Sequence, residues 1–165
     1  MQTKKIIFLF TWLFLGFSQA QETTLYWEAD INKAITESIE KDKKVLIFFT
    51  GSDWCGWCIK LQKEVFQKEE FINWSKDYIL VELDFPRKKQ VDQETLQRNY
   101  QIQQIFQVQG YPAVFVVKPE KKEDGKINLN ALARTGYVAG GPEKWIASVE
   151  QFYPKNETLE KEKQN

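Results

Sequence analysis

Histidine is absent from all 165 residues. That excludes Ser-His-Asp and Cys-His hydrolases and any metal site built on imidazole. Cysteine occurs only at positions 55 and 58, so one chain cannot assemble a four-thiolate zinc site. Net charge is missing too, because 23 Lys and Arg balance 23 Asp and Glu. A chain this close to neutrality has no electrostatic footprint for nucleic acid or for an anionic membrane surface. No internal repeat is visible. The nearly unbroken apolar run from Ile6 to Phe17 is about 12 residues, short of the roughly 20 that a membrane-spanning helix needs.

What that run does fit is an export signal. Lys4 and Lys5 form a short positive stretch before it, and Ser18-Gln19-Ala20 places small residues at the −3 and −1 positions of a cleavage site. Residues 1–20 are therefore expected to be a signal peptide, with an uncleaved anchor as the alternative. Export to the periplasm or beyond implies an oxidising compartment, where a cysteine pair is either structural or chemically active. The signal takes two of the 23 basic residues, leaving 21 against 23 acidic ones. Residues 21–153 have the length and composition of one globular domain, with 42% hydrophobic and 15% aromatic residues in the whole chain. Residues 154–165 are mostly Lys, Glu, Gln and Asn, and read as a polar tail.

Within the domain, helical and extended patterns alternate. Asp30 is placed to cap a helix to about Lys41, with Ile31, Ala34, Ile35 and Ile39 at helical spacing. Val45–Thr50 is a continuous apolar run, suited to a central strand buried on both faces. A helix follows, with Leu61, Val65 and Phe66 on one face. Tyr78–Asp84 reads as a strand. Asp92 is placed to cap a helix through Leu96, Tyr100, Ile102, Ile105 and Phe106. Ala113–Lys118 is a third strand, Lys121–Gly125 a hairpin turn, and Leu129–Val138 the returning strand. Gly140 and Gly141 end it, and Pro142 suits the first position of a last helix to Phe152. Helices between buried strands imply crossovers and a covered sheet, and the hairpin makes that sheet mixed. The fold class is α/β.

The chemistry lies in Trp54-Cys55-Gly56-Trp57-Cys58, between the Val45–Thr50 strand and the next helix. The first turn of a helix has unpaired N–H groups and a partial positive charge. A thiolate there is stabilised, and the thiolate is the nucleophile in disulfide exchange. Cys55 is thus expected to attack, and Cys58, about one turn on, to resolve the mixed disulfide. Two other readings of such a pair are half a zinc site, for which further Cys or His is lacking, and a structural disulfide. A bridge closing so short a loop restrains the unfolded chain little.

Trp54-Cys55-Gly56-Trp57-Cys58 after an apolar strand resembles the active site of the thioredoxin superfamily. Gly110-Tyr111-Pro112, just before the third strand, resembles that family's cis-proline loop, and the same triplet recurs in protein disulfide isomerase domains. The string from Phe49 to Cys58, with Lys60, Leu61 and Glu64–Phe66, is similar to exported thioredoxin-like proteins and to the soluble C-terminal domain of thiol–disulfide interchange proteins. The resemblance implies a thioredoxin fold, a central mixed sheet with helices on both faces. It implies a cis bond at Pro112 and a substrate-binding rim of Trp54, Gly56, Trp57, Tyr111 and Pro112. Tyr111 would offer its backbone to an extended client segment, and the aromatic rim would hold unfolded polypeptide. Packing is the other reading for Trp54.

Two positions depart from the family. Phe49 stands six residues before the first cysteine, where typical thioredoxins carry a buried acid. Asp53 is either a substitute or a solvated turn residue, and Glu82 and Asp84, ending a neighbouring strand, are expected mainly at the surface. The dipeptide between the cysteines is Gly-Trp instead of Gly-Pro, so the direction of exchange does not transfer from thioredoxin. The resemblance implies an exported thiol–disulfide oxidoreductase, acting as reductase or electron relay on protein thiols and disulfides. No cofactor, metal or nucleic acid is implied. A membrane-embedded reductant or oxidant partner is expected, with the chain itself a monomer. The alternatives are an oxidase or isomerase, or a non-catalytic binding module on the same fold.

Overall fold

A computed structural model describes residues 25–153. The expected signal at 1–20 and the tail at 154–165 lie outside the described residues. The elements in chain order are α1 (Ile31–Lys41), β1 (Lys44–Thr50), α2 (Gly56–Leu61), α3 (Glu69–Trp74), β2 (Tyr78–Asp84), α4 (Gln93–Ile105), β3 (Ala113–Lys121), β4 (Ile127–Thr135) and α5 (Gly141–Glu150). A π-helical turn, Gln62–Phe66, continues α2, and a 3₁₀ turn, Ser75–Asp77, links α3 to β2.

The sheet runs β2-β1-β3-β4. β1 lies parallel to β2 and antiparallel to β3, and β3 lies antiparallel to β4. The apolar run of β1 is therefore central, and Val45–Phe49 are all fully buried. Strand periodicity sends alternate side chains to opposite faces. Val45, Ile47, Phe49, Val81, Leu83, Phe115 and Val117 meet α1 and α4 on one face. Leu46, Phe48, Leu80, Val114 and Val116 meet α2, α3 and α5 on the other, where both cysteines lie.

Local chemistry explains the helix ends. The Asp30 carboxylate accepts from Asn32 N–H at 2.9 Å and starts α1, and Asp92 accepts from Thr95 N–H at 2.8 Å and starts α4. The π turn has a packing reason. It brings Leu61, Val65 and Phe66 onto one buried face, a spacing that a regular helix turns slightly out of line.

Three expectations change. β4 covers Ile127–Thr135 and stops short of Val138. Gly136 ends it by passing beside the Pro112 carbonyl, where a Cβ would sit 3.1 Å away, and its own carbonyl accepts from the Trp145 indole at 2.9 Å. The last helix begins at Gly141 and ends at Glu150, with Pro142 inside its first turn. A helix the periodicity does not reveal, α3, fills the crossover before β2. Its six residues are too few to show a period, but Phe71 and Trp74 pack with Trp145 at ring-centroid distances of 5.6 and 6.0 Å.

Candidate active site

Both cysteines sit where β1 hands over to α2. The backbone turns through Gly51–Trp54, with Cys55 N–H donating to the Gly51 carbonyl at 2.8 Å. Cys55 caps α2, and its Sγ accepts from the Cys58 N–H at 3.2 Å. The two sulfurs are joined as a disulfide. Cys55 is 5% exposed and Cys58 1%, so a client sulfur has better access to Cys55. After reduction, the same Cys58 N–H and the helix start favour negative charge on Cys55 Sγ.

Two aromatic walls flank the pair. On one side Trp54 is fixed from several directions. Its indole N–H donates to the Phe85 carbonyl at 2.8 Å, and its ring meets Tyr111 edge-on at 5.8 Å. Tyr111 in turn stacks on Phe85 at 5.2 Å. A Cβ on Gly51 would lie 2.4 Å from the Trp54 ring, so only glycine lets the indole lie across the turn. On the other side Trp57 projects from α2 with 58% exposure, its ring 5.1 Å from Tyr137. The Tyr111–Pro112 bond is cis. Tyr111 is part-buried, and burial pushes its hydroxyl up to about 12, so it stays protonated near neutral pH. Gly56 is exposed, and a Cβ there would meet nothing within 4 Å.

The acids near the site take different roles from those expected. Asp53 is a turn residue, as the second reading has it, but a tethered one. Its carboxylate accepts from the N–H groups of Arg87, Lys88 and Lys89 at 3.0, 2.6 and 3.0 Å. Those bonds, that of Arg87 foremost, hold its carboxyl below the ordinary range. Asp53 therefore stays ionised and ties the loop after β2 to the cysteine turn. Asp84 accepts from both the N–H and the hydroxyl of Ser52.

Glu82 corrects the surface reading. Its register opposite Phe48 puts it on the face of the sheet that carries the cysteines. Its Oε2 accepts from the Gln62 amide at 3.1 Å, one turn beyond Cys58. Burial, and secondarily the charge of Asp84, push its carboxyl above the ordinary range. Phe49, in contrast, points to the opposite face, among Phe106 and Phe115. The protein thus places an acid under the dithiol helix from β2 and none from Phe49.

The residue pattern marks Pro86 and Arg87–Lys89 as a charged loop but not as part of the site, and it marks neither Gly136 nor Tyr137. No spacing announces them, since Gly136 meets the Pro112 carbonyl, Tyr137 meets Trp57 and the 87–89 backbone meets Asp53, each from a distant segment. The one local hint is a glycine, Gly136, inside the extended Leu129–Val138 pattern.

A Thioredoxin-like family model matches residues 26–119. The disulfide bond reductase DsbH of Chlamydia pneumoniae is 34% identical over 126 residues, which span 76% of this chain and 70% of that protein. A solved DsbH oxidoreductase superposes with a TM-score of 0.69 at 32% identity, covering 80% of this chain and 86% of its own. A thioredoxin from Thermus thermophilus shares the fold, with a TM-score of 0.56 at 13% identity, over 79% of this chain and 88% of that one.

Proposed function

The chain belongs to the thioredoxin-like family and is a thiol–disulfide oxidoreductase, and on that premise we propose that it works outside the cytoplasm as a protein-disulfide reductase, with Cys55 as nucleophile and Cys58 as resolving thiol. The observation that carries the reading is the Cys55 sulfur at a helix start, accepting a backbone N–H, more exposed than its partner. The reducing direction follows the similarity to a disulfide bond reductase. Export rests on the Lys4–Ala20 pattern.

The reaction starts from the dithiol. The Cys55 thiolate attacks one sulfur of a client disulfide, and the client's other sulfur leaves as a thiolate that takes up a proton. Cys55 and the client are then joined. Cys58 loses its proton and attacks Cys55 Sγ, which closes the Cys55–Cys58 disulfide and releases the second client thiol. Two electrons have passed from the dithiol to the client. Glu82, whose raised carboxyl bonds Gln62 one helical turn beyond Cys58, is our candidate acid–base group to accept the Cys58 proton. A dithiol carrier, membrane-embedded in this reading, must return the two electrons. In this reading Trp54, Trp57, Tyr111 and Pro112 line the approach, and the backbone of Tyr111 pairs with an extended client. Gly56, between the two cysteines in sequence, adds no side chain to this approach.

Equilibration of the pair in glutathione or dithiothreitol buffers, followed by tryptophan fluorescence, tests the direction. A potential near the roughly −270 mV of thioredoxin supports a reductase, whereas one near the roughly −120 mV of the strong periplasmic oxidant assigns an oxidase. Failure to titrate as a reversible two-electron couple removes the exchange reading.

A further inference from the structure

The residues around the two aromatic walls are unequal in charge. Arg87 lays its guanidinium over the Trp54 ring, 3.8 Å from the centroid. Lys88 and Lys89 follow it and are exposed, with Lys89 Nζ 3.4 Å from Ser52 Oγ. On the far wall the Lys60 ammonium lies 5.2 Å from the Trp57 ring and 5.1 Å from that of Tyr137. Four cations therefore stand on two sides of the cysteine turn.

The acids among them offset part of that charge, Asp53 and Glu82 facing Lys89 and Glu64 facing Lys60, but their carboxylates are turned to partners in the protein while the Lys88 and Lys89 side chains are exposed. Asp53 is held by three backbone N–H groups, and Asp84 by Ser52. Glu64 accepts from the Tyr137 hydroxyl and lies 3.8 Å from Lys60. This basic rim is a local feature, since the chain as a whole is neutral. It is also held in place. The Asp53 clamp fixes the 87–89 backbone against the turn two residues before Cys55, and the stacking on Trp54 fixes the Arg87 head. Fixed charges beside a reactive group steer encounter and select partners by sign.

We propose that the site selects client disulfides flanked by Asp or Glu, which the Arg87–Lys89 loop and Lys60 recognise from either side of Cys55. The proposal rests on the reductase reading and names its substrate class. An acidic stretch next to the client cysteine would meet Arg87, Lys88 or Lys89 as the extended chain lies along Tyr111. Basic flanks would be repelled there. Small neutral disulfides would react at a rate set by the dithiol alone.

The test uses the reduced protein and two synthetic peptide disulfides, identical except for Asp and Glu or Lys and Arg beside the cysteines, with hydroxyethyl disulfide as a neutral third substrate. At about 20 mM salt, kcat/KM for the acidic peptide should exceed that for the basic one by about 10-fold, as expected for steering by several fixed charges. At about 0.5 M salt the ratio should fall to about 2-fold, because screening shortens the reach of these charges to a few ångströms. The charge-reversed double variant Lys88→Glu with Lys89→Glu should bring the low-salt ratio to one or below. Equal rates on the two peptides at low salt, or a preference that salt and charge reversal leave unchanged, would overturn the proposal while leaving the reductase reading intact. Failure to reduce even hydroxyethyl disulfide would instead remove the reductase reading on which it rests.

Discussion

The two faces of the sheet are built from the same strands and have different jobs. On the face covered by α1 and α4, the buried strand positions are apolar, from Val45, Ile47 and Phe49 to Val81, Leu83 and Phe115. The face covered by α2, α3 and α5 has the same apolar centre, with Phe48, Phe66, Phe71 and Trp145 in mutual ring contact. At its dithiol end, though, it carries Thr50, Glu82 and Asp84 on alternating strand positions. Thr50 is fully buried and its hydroxyl oxygen has no hydrogen-bond partner, and Glu82 is desolvated. Buried polar groups cost stability unless fully paired. The strands thus present an apolar surface to α1 and α4 and a polar end to the dithiol side, and on the first face the buried unpaired polar atoms, such as Asn99 Oδ1 and Gln103 Oε1, come from α4 instead of the sheet.

That contrast can be broken most severely at the sulfurs. Cys55→Ser should abolish exchange while leaving folding intact. Cys58→Ser should keep the first attack and accumulate a mixed disulfide, seen as a mass increase under non-reducing conditions that thiol removes. The reverse outcome, trapping by Cys55→Ser, would exchange the two roles.

Core truncations on the two faces come next. Phe48→Ala and Phe49→Ala remove equal side chains from adjacent positions, and each should cost about 3–5 kcal/mol in denaturant unfolding. They should separate in activity. Phe49→Ala faces away from the cysteines and should retain exchange per folded molecule. Phe48→Ala opens space beneath α2 and should lower it. Equal activity losses would mean that the faces are not functionally distinct.

Gly51→Ala is a smaller change with a local target. The new methyl overlaps the Trp54 ring, so the indole or the turn must shift, at a cost of about 1–3 kcal/mol. Loss of the Trp54 contact with Arg87 should appear as a change in tryptophan emission. Gly56→Ala meets open space and should leave stability within about 0.5 kcal/mol.

The smallest expected effect is the most specific to the dithiol face. Glu82 has a folded-state carboxyl raised above its ordinary value. Between those two values the native state holds more of its proton than the unfolded chain does, so stability falls as pH rises through that window. Glu82→Gln removes the charge and leaves an acceptor for Gln62. The variant should therefore melt higher than the parent at pH 7 and converge with it below the ordinary carboxyl value. Its exchange rate should fall, and lose a pH-dependent step. A variant less stable at pH 7 would contradict the desolvation of this carboxyl.

Much of this fold was legible in the residues. Long apolar runs bounded by turn residues mark β1, β2 and β3, and the bounds of β2, Tyr78–Asp84, coincide with the reading. Asp30 and Asp92 announce two helices through cap chemistry that needs only neighbours. Tyr100 and Ile105, although on the helical pattern of α4, are exposed by 49% and 63%, because the pattern marks amphipathicity and not which residues find a partner. The six-residue α3 and the π turn were hidden for a related reason. Short elements are selected by the core they fill, here the Trp145 cluster, and carry little periodicity of their own.

The class and the chemistry follow from the order of the residues alone. Two cysteines three apart between a buried strand and a helix, with no histidine or further cysteine, leave disulfide exchange as the reaction such a pair supports best, and this depends only on nearest neighbours along the chain. Tertiary structure alone decided what surrounds that pair. The register of β1 on β2 brought Glu82, and not residue 49, to the dithiol face. Folding of the segment after β2 placed three backbone N–H groups on Asp53, and Tyr137 reached Trp57 across about 80 residues of chain. Contacts of that sequence separation arise from the packing of whole elements, and no local propensity encodes them.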